Sequence, residues 1–341
     1  MALFLLFAAA PFMLCAEQVA IIDAGSSGSR LFVYDIDATR AVPVKLVYPI
    51  GAEQKALSRG RPLSSIANHT DSVKVFLQNI TANYPCDSIP LYVLATAGMR
   101  LKPKAQADSI YAHLMAQPCL NGYVVKGAMT ISGQYEGLYG WLAANYDNGK
   151  IGFNSESQQR ELTYLSPSYG ILEIGGASMQ IAFATEAASS QTLYRPGLGN
   201  IFCKSYLGAG VDQIYQHTQS GCGYKFHYDY GTDYSGLYTN KTFWGLGIPV
   251  NLVLEGIEKQ SGKSYRRKTK AYIKSMASVV DSWENYHPRM NAHYIPWALR
   301  RLHLEEKVVQ PEKDASWTVG AALDIAVNGK EPEGFEHDRP N

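Results

Sequence analysis

A short pattern that occurs twice constrains this chain more than anything else in it. From Val19 to Ile36 the residues read VAIIDAGSSGSRLFVYDI. An apolar, β-branched run reaches Asp23, then come Gly25, Ser26, Ser27 and Gly28, and a second apolar run covers Leu31 to Tyr34. Two apolar runs about a Gly/Ser turn form a β-hairpin. The turn is longer than a tight hairpin requires and its residues are small, so backbone N–H groups can face outward and a ligand can approach them. A carboxylate at the strand end beside such a turn can bind a hydrated divalent cation while the N–H groups hold phosphate oxygens. Taken alone, the stretch is equally an ordinary hairpin with an acid at its rim.

The second copy changes the balance. Ile171 to Thr185 read ILEIGGASMQIAFAT, again an apolar run near an acid (Glu173), small residues (Gly175, Gly176, Ala177, Ser178) and a second apolar run, Ile181 to Phe183. Two such turns far apart in one chain imply two like-folded lobes that grip one polyphosphate between N–H-rich loops.

Composition bounds the rest. A chain of 341 residues makes one large or two medium domains. Hydrophobic residues at 46% and charged residues at 18% are ordinary for a globular protein. A net charge of +1 excludes a global field that steers the protein to nucleic acid or membrane. The dense basic run, Arg266 to Lys270, is expected to be a solvated helix face. Met1 to Ala16 are almost wholly apolar, too short to span a membrane but matching the core of a secretory signal cleaved after Ala16. No membrane span is expected after its removal, and the protein is expected to be secreted or periplasmic. Four cysteines then remain, and in an exported chain an even count favours disulfides; nearest-neighbour pairing gives Cys86–Cys119 and Cys203–Cys222. Glycosylation sequons stand at Asn68, Asn79 and Asn240.

Along the chain, strands alternate with helices, which makes it α/β. Helices are expected over Ser64–Asn83, Pro103–Met115, Ser132–Asn145, Ser275–Tyr286, Pro296–Lys307 and Ser316–Val327, and strands over Ile89–Leu94 and Tyr123–Val125. Gly221 to Tyr238 form a tyrosine-rich loop, read either as a packed surface loop or as a stacking surface for a nucleobase.

No GxxxxGK[ST] sequence occurs, and no HExxH or GxSxG, so a Walker-type NTPase, a zinc peptidase and a serine hydrolase lack support. Five segments do match one family in order: DAGSSGSR (Asp23 to Arg30), ATAGMR (Ala95 to Arg100), ISGQYEGLYGWLAANY (Ile131 to Tyr146), EIGGASMQIAF (Glu173 to Phe183) and SWTVGAALD (Ser316 to Asp324). In these the chain resembles the ecto-apyrases, the nucleoside triphosphate diphosphohydrolases. The resemblance implies two actin-like, ribonuclease-H-like lobes with the active site in the cleft, lobe I from residues 17–132 plus 315–341 and lobe II from residues 133–314. It also implies a monomer that hydrolyses nucleoside tri- and diphosphates with Mg²⁺ or Ca²⁺.

On that resemblance Glu136 is the catalytic base, Ser178 and Gln180 orient the attacking water, and Thr96 and Arg100 shape the cleft. The N–H groups of Gly25 to Ser29 and of Gly175 to Ser178 are the two phosphate loops. Asp23 and Glu173 match the pair that holds the metal, largely through waters. Trp244 is the candidate for stacking the base. The sequence departs from the family at Tyr135, where an acid usually precedes the base, and at Glu173, where the family has aspartate. The alternatives are a phosphotransferase or polyphosphatase on the same duplicated fold, or a nucleotide-binding protein without activity.

Overall fold

Both repeats fold as hairpins, and each founds a sheet. In the computed structural model the described residues are 17–37, 44–153, 161–218, 224–237, 241–282, 287–311, 313 and 315–328. The expected signal segment, Cys222, Asn240, Tyr238 and Tyr286 lie outside them. β1 (Glu17–Ala24) and β2 (Ser29–Ile36) pair antiparallel, with Asp23 opposite Arg30 and Ala24 opposite Ser29, so that residues 25–28 form the turn. β3 (Val44–Tyr48) extends this sheet, the short β4 (Arg59–Gly60) pairs with the start of β2, and β5 (Ile89–Ala95) and β6 (Tyr123–Thr130) add in parallel, giving the order β3-β2-β1-β5-β6.

A small hairpin of β7 (Ile151–Phe153) and β8 (Leu162–Tyr164) separates this sheet from the next. β9 (Gly170–Ile174) and β10 (Ser178–Thr185) then repeat the first hairpin. With β11 (Thr192–Arg195), β12 (Gly199–Leu207), β13 (Phe243–Leu246) and β14 (Val308–Val309) they form a sheet of order β11-β12-β10-β9-β13-β14. With β4 and the extra edge strand β11 set aside, both sheets have the order third-second-first-fourth-fifth counted from the hairpin, antiparallel across the first three strands and parallel beyond. Parallel strands require crossovers, which the intervening helices supply.

The helices are α1 (Gly51–Leu57), α2 (Thr70–Thr81), α3 (Ala97–Arg100), α4 (Lys104–Met115), α5 (Gly133–Asp147), α6 (Val211–Thr218), α7 (Ile248–Glu258), α8 (Tyr265–Ser275), α9 (Pro288–Arg301) and α10 (Trp317–Asn328). α5 is buried on nearly every side, which explains why its sequence shows no polar face. It starts where expected, with the Ser132 hydroxyl accepting from the Tyr135 N–H at 3.3 Å. α5 packs on β9, β10 and β12 and against α10, and α10 in turn packs on β1, β2 and β3. Together they form a continuous apolar core between the two sheets, including Trp141, Leu142, Trp317 and Leu323. Separate cores lie on the outer faces of the two sheets.

Several expectations need correction. α2 begins at Thr70, not Ser64: Leu63–Ser65 make one tight turn, Ile66 is extended, and the His69 ring accepts from the Ser72 N–H as the cap. β6 runs on from Val125 to Thr130. No helix covers residues 276–282; α8 ends at Ser275 and α9 starts at Pro288 and contains Pro296 instead of opening on it. The Cys86–Cys119 bond is not formed, and both thiols are free. They stand before the parallel strands β5 and β6, and the Cys86 thiol donates instead to the Asn121 carbonyl at 3.6 Å. Cys203 is a free thiol buried on β12, while its expected partner Cys222 is not among the described residues.

Candidate functional site

The site is built on α5. Glu136 lies in the helix's first turn, its N–H donating to the Ser132 carbonyl, and its side chain is 7% exposed. Arg100, at the end of α3, donates from Nη2 to Glu136 Oε2 and from Nη1 to the Ser205 hydroxyl at 3.4 Å. Gln180 donates from Nε2 to the same Glu136 oxygen at 2.9 Å and to the Ser178 hydroxyl at 2.6 Å, and lies 3.3 Å from Ser205 Oγ. Alternation along β10 puts Ser178 and Gln180 on one face, towards α5. Helix α5 can come this close because Gly133 and Gly137 have no side chain. A Cβ at Gly133 would fall inside contact distance of Ser205 and the Arg100 guanidinium, and one at Gly137 would lie 3.5 Å from Gln180 Cβ.

Burial pushes the Glu136 carboxyl up from its ordinary value, against the pull of Arg100. A carboxylate held in that direction is suited to take a proton near neutral pH.

The two small-residue turns approach each other closely. A Cβ on Gly176 would lie 2.7 Å from Ser26 Oγ and press on the Asp212 carboxylate, and one on Gly98 would lie 2.8 Å from Ser26 Cα. Thr96 precedes α3 at 5% exposure and accepts from the Arg100 N–H. The second turn is held from behind by the start of α6: the Val211 and Asp212 N–H groups donate to the Gly175 and Gly176 carbonyls, each at 2.9 Å. Gly208 likewise donates to Ala177 O at 2.8 Å. The Gly175 N–H is engaged inside the turn, donating to Ser178 O at 3.0 Å, so the donors facing the cleft start at Gly176.

Asp23 and Glu173 stand at corresponding places at the ends of β1 and β9. Asp23 is 8% exposed, 3.6 Å from the Arg30 guanidinium and hydrogen-bonded to Trp317. Burial raises its carboxyl to about 6, with Arg30 opposing and Glu136 adding to the rise. Glu173 Oε2 abuts α5 at Gly140, 3.0 Å from where a Cβ there would stand and one turn along from Glu136. No cluster of three or more metal-ligating side chains occurs among the described residues. Two hard-oxygen carboxylates, Asp23 buried and Glu173 half-buried, suit Mg²⁺ or Ca²⁺, for which waters and phosphate oxygens would complete the shell.

Four further outcomes concern particular residues. Trp244 is 4% exposed on β13, its ring 4.6 Å from Tyr169 in the core, so it has no free face for a base. An aromatic on a central strand packs between its neighbours, and that pull outweighs the polar end of the indole. The tyrosine-rich loop is likewise packed: Tyr228 donates to Leu207 O, and Tyr230 and Phe226 lie against Trp297 of α9. Conversely, Ser205 joins the site without belonging to any motif. It arrives because β12 pairs with β10 in a register that sets it opposite Gln180. At Tyr135, the ring lies 5.4 Å from the Arg195 guanidinium, so a cation faces this position even without an acid.

Residues 16–225 match the GDA1/CD39 (nucleoside phosphatase) family. Ectonucleoside triphosphate diphosphohydrolase 1 of Bos taurus is 31% identical over 217 residues, covering 57% of this chain and 41% of the relative. Nucleoside-triphosphatase ntp-1 of Caenorhabditis elegans is 30% identical over 224 residues, covering 57% and 38%. The chain thus spans about two fifths of the length of these relatives. Among solved structures, a Ppx/GppA family member of Aquifex aeolicus is similar in fold, with a TM-score of 0.53 at 14% identity, covering 93% of this chain and 100% of the other. An exopolyphosphatase-like protein gives the same TM-score and identity over 91% and 98%. The fold shared with them is two actin-like α/β lobes.

Proposed function

The chain belongs to the GDA1/CD39 (nucleoside phosphatase) family, and from that premise we propose that it hydrolyses nucleoside 5′-tri- and diphosphates to the monophosphate and inorganic phosphate. The observation that carries this reading is the placement of Glu136: a buried carboxylate at the start of α5, bonded to Gln180 and Arg100, beside two facing small-residue turns.

In this reading the donors of the Ser26–Ser29 and Gly176–Ser178 turns take the phosphate oxygens. Ser178 and Gln180 hold a water against Glu136. As the water oxygen bonds to the terminal phosphorus, its proton passes to Glu136, and the bond to the bridging oxygen breaks. Arg100 keeps the Glu136 carboxylate turned towards Gln180, and Thr96 fixes the turn from which Arg100 projects. Asp23 and Glu173 are the residues that would hold Mg²⁺ or Ca²⁺, which would supply charge for the oxygens of the transferring group. Export through Met1–Ala16 belongs to the same reading, and N-terminal sequencing of the mature protein should then begin at Glu17.

The test is Glu136→Gln, which keeps the shape and removes the base. Phosphate release from ATP and ADP is expected to fall by about 10² to 10⁴-fold with nucleotide binding kept. Unchanged turnover would remove Glu136 from the mechanism. Release from inorganic polyphosphate but from no nucleotide would replace the substrate class.

A further inference from the structure

Charge is unevenly placed in this nearly neutral chain. From Lys259 to Val280 there are seven Lys and Arg and no Asp or Glu, against a net charge of +1 for the whole, so the remainder carries −6. α8 occupies the middle of that segment. Its inward face is Thr269 and Tyr272, packed with α7 and α9 over the second sheet. Lys263 just before the helix and Arg266, Arg267, Lys270 and Lys274 on it are all exposed. At 100° per residue the four on the helix fall within about a 100° arc, a single stripe roughly 12 Å long, with Lys263 at the turn before it. Among the described residues none of the five has a carboxylate partner. Of the acids around it, Glu255 pairs with Lys259, Asp281 with Arg289 and Tyr224, and Glu305 with Arg300 at 3.1 Å, leaving Glu258 and Glu306. The neighbouring helix α7 adds exposed aliphatic side chains, Ile248 at 40% and Leu252 at 47%, one turn apart on its outward line with Lys259.

We propose that this outer face of α8 and α7 docks the protein on an anionic lipid surface. The cations supply the attraction and Ile248 and Leu252 seat in the headgroup region. Aliphatic side chains beside a cationic stripe suit lipid, whereas a nucleic-acid surface interleaves aromatic rings for stacking. The contact is peripheral: no helix among the described residues is long and apolar enough to cross a membrane, and the apolar face of α8 is spent on the protein core. The stripe lies on α8, which packs on α7 and α9, and it includes no residue of the candidate site.

The experiment is co-sedimentation of the full chain with vesicles of neutral phosphatidylcholine, with and without phosphatidylserine. Binding is expected with the anionic vesicles, and it should weaken steeply with salt as exposed charges are screened. The variant Arg266→Gln/Arg267→Gln/Lys270→Gln/Lys274→Gln should lose it, because each cation near the surface is worth roughly fivefold in partitioning. These side chains are exposed, so the variant's unfolding temperature and phosphate release should match wild type. Leu252→Ser should weaken vesicle binding without changing the salt dependence. Equal sedimentation with neutral and anionic vesicles, binding that survives in the quadruple variant, or capture by a sulfated polysaccharide while vesicles stay bare would each overturn the proposal.

Discussion

Asp23 is where burial and charge are most opposed. Its carboxyl is raised by burial to about 6 from an unfolded value near 3.8. Below pH 4 it is protonated in both states and contributes nothing. Between pH 4 and 6 the folded protein keeps a proton the unfolded chain has released, so stability falls as pH rises. Above 6 the deficit is complete, about 3 kcal/mol. Asp23→Asn should therefore unfold at a higher temperature than wild type at pH 8, and the gap should close below pH 4. An equal gap at both pH values would refute the burial argument. In the proposed reading Mg²⁺ or Ca²⁺ at Asp23 and Glu173 would offset the same deficit, so adding it at pH 8 should raise the wild-type unfolding temperature and leave Asp23→Asn nearly unmoved, with a chelator reversing the rise. At this scale most of the candidate constellation that the structure brings together was legible. Glu136, Gln180, Ser178, Arg100, Thr96 and Asp23 each stand in a short local pattern. Ser205 does not, because its place depends on strand register, and Trp244 misled because an aromatic side chain reads alike whether it packs or recognises.

At the scale of the element, α5 sets the site through what it lacks. Gly133 is the sharpest case, since any side chain there would press on Ser205 and Arg100 together. Gly133→Ala should displace both and loosen Arg100 from Glu136. Overpacking costs about 1–3 kcal/mol, and calorimetry should show that loss beside a fall in kcat of about tenfold or more from misplacement of the base. A variant that loses stability and keeps full kcat would mean that the Arg100–Glu136 pair is only structural. The elements best read from sequence were those with a local signal at both ends: the two hairpins, and α5 with its Ser132 cap. Those misread had their signal diluted. The helix face read at Arg266 to Lys270 is found in α8, but nothing local marked its end at Ser275, and α9 opens at one proline, Pro288, while containing a second, Pro296, that reads equally well as a start.

For the whole molecule, the repeated hairpin implied duplication, and the two sheets show it, sharing one strand order apart from the additions β4 and β11. No local pattern could state how near the turns come, because that distance is set by the shared packing of α5 and α10 between the sheets. Ser26 and Gly176 are separated by 150 positions in sequence but by one side-chain radius in space. Their contact can be tested as a pair. Gly176→Ala should push on Ser26 Oγ and Asp212, holding the lobes apart and weakening nucleotide binding. Ser26→Ala removes the hydroxyl that is hit and one phosphate-loop side chain. If the turns meet as described, the double variant should bind more tightly than the sum of the single losses predicts, by about 0.5–3 kcal/mol, the range for residues in direct contact. Binding measured by titration calorimetry with a non-hydrolysable nucleotide reads this coupling without requiring turnover. Strict additivity would mean that the lobes open far enough in solution for the two turns never to touch, and the polyphosphate chain would then have to be gripped by one turn at a time.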